Sequence, residues 1–115
     1  MRVRKVSFTG SIATGKKIQE MAARSNLKRV TLERGGKSPA VVLDDCNLDN
    51  AVTWAINALA TNTGQVCFAA TRVYVQEGIY DKFVEKYKAG LEERAKAIGD
   101  PDDEGTLMGP LVDKA

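Results

Sequence analysis

The chain has 115 residues, of which 43% are hydrophobic and 28% charged, with a formal net charge of +2. That is the make-up of one ordinary globular domain and excludes a disordered polymer, a collagen-like repeat and a disulfide scaffold. With no histidine and two cysteines, the chain cannot build a Ser-His-Asp triad, a Cys-His pair, a histidine metal site or a four-thiolate zinc site.

The amino end, Met1-Arg2-Val3-Arg4-Lys5, is basic. The stretch Val6-Ser7-Phe8-Thr9-Gly10 after it is too short for a signal-peptide core, and no apolar run reaches the roughly 18–20 residues of a membrane span. Basic and acidic residues are interleaved along the chain, so neither a nucleic-acid partner nor a membrane partner is expected. Free thiols and an intracellular setting are expected.

Lys5 to Phe8 reads as a strand, broken at Thr9-Gly10-Ser11. Ile12 to Ala23 reads as a helix with Ile18, Met21 and Ala22 on one face. Lys28 to Glu33 is a second strand, and Gly35-Gly36 turns the chain. Ala40 to Leu43 is a continuous apolar run, as in a buried parallel strand. Asn47 or Asp49 caps a helix whose apolar positions are Leu48, Val52, Ala55, Ile56 and Leu59. Asn62-Thr63-Gly64 ends it. Arg72 to Gln76 is a fourth strand. The last helix carries Ile79, Phe83, Val84, Tyr87 and Leu91, and stops at Gly99-Asp100-Pro101. Asp102 to Ala115 reads as loop. The alternation predicts an α/β fold with parallel pairing. Four strands are few for a doubly wound sheet, so the chain is expected to be a piece of a larger protein.

Three stretches carry candidate chemistry. Gly10 to Lys17 nearly matches the phosphate-binding loop Gly-x4-Gly-Lys-[Ser/Thr], between a strand and a helix. Lys17 stands where the magnesium-binding hydroxyl belongs. Three readings stay open: a nucleotide triphosphate module, a tight turn only, or a dinucleotide pyrophosphate resting on the helix start without a metal. Glu33 ends a strand against Gly35 and Gly36, where ligand sites of α/β folds gather, or is simply a solvated carboxylate. Cys67 follows a helix in a loop of small residues. It is either a buried inert thiol or a nucleophile, activated by backbone amides, a cofactor charge or a carboxylate. Cys46 sits on a polar turn and is expected to be incidental.

Taken together, Phe8-Thr9-Gly10-Ser11, Leu32-Glu33-x-Gly35-Gly36-Lys37-Ser38-Pro39 and Gly64-Gln65-x-Cys67 resemble the NAD(P)-dependent aldehyde dehydrogenase superfamily. The glutamate and the cysteine are 34 positions apart, the separation that family shows. The resemblance continues through Arg72-Val73-Tyr74-Val75 and Ile79 to Phe83, out to Gly109-Pro110.

The resemblance implies a fragment of the aldehyde dehydrogenase fold: the end of a Rossmann-like cofactor domain (1–33) and the start of an α/β catalytic domain (34–115). It implies Cys67 as nucleophile, with its backbone N–H in the oxyanion hole, and Glu33 as general base. Gly10, Ser11 and Gly15 would line the phosphates of NAD or NADP, with Arg34 and Gly35 near the nicotinamide. The implied substrate is an aldehyde. Relatives form homodimers or homotetramers, and a cytoplasmic setting is favoured over a mitochondrial one. No metal is implied.

Two departures stand out. Arg34 replaces an aliphatic residue and is expected to pair with Glu33 and weaken it as a base. Ala60-Thr61 replaces aromatics and is expected to widen the aldehyde pocket or change its preference. The isolated 115 residues are expected to be inactive and poorly folded, and a truncated, inactive copy is the alternative reading.

Overall fold

The computed structural model describes residues 2–113 and divides into two compact units, the first ending at Gly36 and the second starting at Lys37. Each is built around a parallel strand–helix–strand crossover, the arrangement that parallel neighbours require.

In the first unit, β1 (Lys5–Gly10) and β2 (Arg29–Arg34) pair in parallel, from Lys5 opposite Arg29 to Gly10 opposite Arg34. Helix α1 (Ile12–Arg24) joins them and packs on both. Ser11 caps α1, its side chain accepting from the Thr14 N–H at 3.1 Å. Strand β1 runs two residues past its expected end at Phe8, into the expected break, and one residue separates strand from helix. Ala22 is buried and Ile18 half-buried, whereas Met21 stands out from the face assigned to it.

In the second unit, β3 (Pro39–Val42) and β4 (Arg72–Val75) pair in parallel, from Pro39 opposite Arg72 to Val42 opposite Val75. Helix α2 (Leu48–Ala60) crosses between them, and α3 (Tyr80–Ala95) packs on α2. Asn47 caps α2, accepting from the Asn50 N–H at 3.0 Å, and Asp49 is left for an ion pair with Lys86 on α3 at 2.7 Å. A kinked turn with left-handed residues (Thr61–Gly64) follows α2, and a single 3-10 turn (Glu77–Ile79) precedes α3.

The core joins Val42, Val52, Ala55 and Phe83, with Phe83 only 1% exposed. Cys46, expected on a polar turn, packs half-buried against this cluster. Gly90 marks a close approach of α2 and α3, since a Cβ there would lie 2.2 Å from Cδ1 of Ile56. Val84, placed by spacing on the buried stripe of α3, is exposed.

Among the described residues the four strands form two separate two-stranded sheets, one in each unit. Hydrophobic patterning marks strands but not their partners, and Gly35 to Ser38 is an irregular connection between the pairs. The stretch from Asp102 is more than the expected loop. Met108 bridges to Ile98, and Leu107 and Met108 both donate to the Ala97 carbonyl, at 2.9 and 3.2 Å. Met1, Lys114 and Ala115, parts of the expected basic end and terminal loop, lie outside the described residues. Among the described residues no helix is long and apolar enough to cross a membrane.

Candidate functional site

The first unit gathers Gly10, Ser11, Gly15 and Arg34 at the carboxyl end of its parallel strands, where α/β folds place ligands. Gly10 is opposite Arg34 in the register. Its φ of +154° suits glycine, and a Cβ there would lie 2.7 Å from Cζ of Phe8. Gly15 is buried. A Cβ on it would reach Leu32 at 3.4 Å and Cδ of Arg34 at 3.7 Å, so the missing side chain lets α1 lie close on β2.

The Thr14 N–H is satisfied by Ser11, and the Gly15 N–H donates to the Ser11 carbonyl at 2.9 Å. Among the described residues, the N–H groups of Ile12 and Ala13 find no acceptor. The first turn of α1 carries no acidic residue, and Lys16 and Lys17 are exposed. A helix start with free N–H groups and positive surroundings is suited to a phosphate.

The triphosphate-module reading fails on the same geometry. Such a loop wraps phosphates with successive backbone amides of an irregular segment. Here Ile12 to Lys17 are already helical, and only Ser11 lies between β1 and α1.

Glu33 is exposed near the carboxyl end of β2, opposite Thr9. The expected Glu33–Arg34 ion pair does not occur among the described residues. Successive strand residues point to opposite faces. Arg34 follows Leu32 onto the α1 side, over Gly15, and Glu33 takes the other face. Gly35 is exposed, with nothing within 4 Å of where its Cβ would be.

The second unit carries Cys67 on a turn from Val66 to Ala69, closed by the Ala69 N–H to the Val66 carbonyl at 3.1 Å. The thiol belongs to an exposed residue and forms no disulfide. Among the described residues, the Cys67 N–H donates to no acceptor. Behind the turn, Ala69 and Ala70 are buried, and the Ala70 N–H donates to the Ala58 carbonyl of α2 at 3.1 Å. Phe68 is exposed beside the cysteine.

Ahead of the turn, Asn62, Thr63 and Gly64 take left-handed φ values of 51°, 56° and 76°. For a β-branched residue such as Thr63 this costs on the order of 1–3 kcal/mol, and surrounding structure must hold it. The Thr63 hydroxyl donates to the Gly109 carbonyl at 2.8 Å, and the Val112 N–H donates to Oε1 of Gln65 at 2.9 Å. These tethers escape sequence reasoning. Asn62-Thr63-Gly64 signals a helix stop, and nothing in the composition of Gly109 to Val112 points back to it. Of the two positions expected to widen a pocket, Ala60 is buried and only Thr61 is exposed.

The aldehyde dehydrogenase family model matches residues 1–115. An aldehyde dehydrogenase of Agaricus bisporus is 51% identical over 112 residues, covering 97% of this chain and 22% of its own length. A Saccharomyces cerevisiae relative, named aldehyde dehydrogenase NAD(P)+ 2, is 48% identical over 114 residues, with the same coverage of 97% and 22%. The crystal structure of lactaldehyde dehydrogenase from Escherichia coli superposes with a TM-score of 0.88 at 44% identity, over 97% of this chain and 23% of that one. The chain thus spans about a fifth of the length of the relatives it matches.

Proposed function

Because the chain belongs to the aldehyde dehydrogenase family, we propose that it supplies the nucleophile and the general base of an enzyme oxidising an aldehyde to a carboxylic acid. Cys67 is the nucleophile. The observation that carries this reading is the accessible thiol on a turn held from both sides, with a backbone N–H left free beside it.

The Cys67 sulfur adds to the aldehyde carbonyl, forming a carbon–sulfur bond and a thiohemiacetal. The developing negative charge on the carbonyl oxygen is met by the Cys67 N–H. Loss of hydride to the oxidant turns that adduct into a thioester, and Glu33 then takes a proton from the water that cleaves its carbon–sulfur bond, which releases the acid and frees the Cys67 sulfur. No histidine is needed for either task.

The α1 start fits a dinucleotide. Ser11 shapes that helix end, and the Ile12 and Ala13 N–H groups bind phosphate oxygens. Gly10, where a Cβ would meet the Phe8 ring, and Gly15, which lies close to Leu32 and Arg34, set the strand end and the helix start in place. NAD or NADP, when bound, supplies the two-electron oxidant of the reaction. Residues 1–33 belong to its domain and residues 34–115 to the catalytic domain. Arg34 packs over Gly15 and offers a positive charge on the phosphate side of β2.

The test is substitution in the natural polypeptide that carries these residues. Cys67→Ala abolishes aldehyde-dependent NAD(P)H formation, and Cys46→Ala preserves it. Glu33→Gln lowers steady turnover by roughly 100-fold, within the range of lost acid–base catalysis. Full activity in Cys67→Ala contradicts the reading.

A further inference from the structure

The segment that carries Cys67 is fastened by a part of the chain more than forty residues away. Three consecutive left-handed residues, Asn62 to Gly64, bring the backbone out of α2. Gln65 then uses both ends of its amide. Its Nε2 donates to the Asn62 carbonyl at 3.2 Å, and its Oε1 accepts the Val112 N–H at 2.9 Å. Asn62 answers with its own amide, donating to the Gln65 carbonyl at 3.2 Å. The Thr63 hydroxyl adds the second tether, to the Gly109 carbonyl.

An unfavourable backbone persists only where its surroundings over-determine it. Here the surroundings include these four side-chain bonds and the Gln65 N–H to the Asn62 carbonyl at 3.0 Å, two residues ahead of the thiol. We infer that Gln65, together with Thr63, is a positioning residue for Cys67. The 109–112 segment is then a strut that fixes where the sulfur stands relative to an incoming carbonyl.

The inference rests on the role proposed for Cys67. Its geometry also limits what it predicts. Among the described residues no hydrogen bond joins the strut to the thiol, so it acts through the backbone of the turn: binding of substrate is expected to change little and the chemical step to suffer. Misplacement of a reacting atom by about 1 Å costs on the order of 100-fold.

The experiment compares three variants of the natural polypeptide. Gln65→Met keeps the volume and removes both amide contacts. Thr63→Val keeps the β-branch, and with it the backbone cost, but removes the hydroxyl. Thr63→Ser keeps the hydroxyl. Gln65→Met and Thr63→Val are expected to lower kcat by roughly 10- to 100-fold with KM moving less than threefold, and Thr63→Ser to recover most of the rate.

Alkylation of Cys46, packed against the core, reports folding in the same samples and is expected to be unchanged. Wild-type kcat in both Gln65→Met and Thr63→Val overturns the inference. So does a fall in kcat matched by faster Cys46 alkylation, which is general loosening. If Cys67→Ala proves active, the nucleophile reading fails instead. The strut is then read from amide exchange at Val112: faster in Gln65→Met supports it, and equal rates overturn it.

Discussion

The two cysteines show how much at the residue scale depends on placement. Both are free. Cys67 is exposed on its turn, while Cys46 is half-buried against Val42, Val52, Ala55 and Phe83. Iodoacetamide is therefore expected to label Cys67 at least several-fold faster, read by mass spectrometry of the two peptides. Equal rates would remove the accessible nucleophile from the account. Gly10 gives a second test. Gly10→Ala places a Cβ against the Phe8 ring at a φ of +154°. It is expected to destabilise the first unit by about 1–3 kcal/mol, seen as a lower urea midpoint. Glu33 and Arg34 show where reading adjacent letters fails. Neighbours in sequence suggest an ion pair, but strand alternation sends the two side chains to opposite faces.

The elements themselves were largely legible because their signals are local. Asn47 before the apolar period of α2, and Val73 and Val75 alternating in β4, need no tertiary information. Pairing is different. Which strand lies beside which depends on contacts distant in sequence, and the two parallel pairs emerge only in the structure. The strut from Gly109 to Val112 was hidden for the same reason: hydrogen bonds spanning 46 and 47 residues leave no local trace.

Phe83 tests the α2–α3 packing. Phe83→Ala removes the most buried side chain of the core and is expected to cost about 3–5 kcal/mol. A change under 1 kcal/mol in chemical unfolding would contradict the packing. Tyr87, stacked on Phe83 with ring centroids 5.4 Å apart, adds a pH signature. Burial raises its pKa above the ordinary 10.0. The folded state thus favours the neutral phenol, a contribution complete below pH 10 and lost as pH climbs through the raised value. Tyr87→Phe is expected to flatten that alkaline decline in urea titrations.

On the scale of the whole molecule, the 115 residues span about a fifth of the relatives they match. Val41, Leu43, Trp54 and Tyr74, all in the second unit, stand exposed at 68%, 53%, 66% and 54%. Large apolar side chains in contact with water favour association. The isolated chain is expected to self-associate in sedimentation and to show no aldehyde oxidation with NAD or NADP. Turnover by the purified 115 residues would mean that these two units alone suffice for the chemistry.

The central claim is that the aldehyde carbon becomes bonded to the sulfur of Cys67. It is tested most directly by quenching the natural polypeptide in acid during turnover of an aldehyde with NAD(P)+ and sequencing the modified peptide by mass spectrometry. The account predicts the substrate-derived mass on Cys67, lost in Cys67→Ala and enriched in Glu33→Gln. An adduct on another residue, or undiminished turnover with Cys67 unmodified and replaced by alanine, would contradict it.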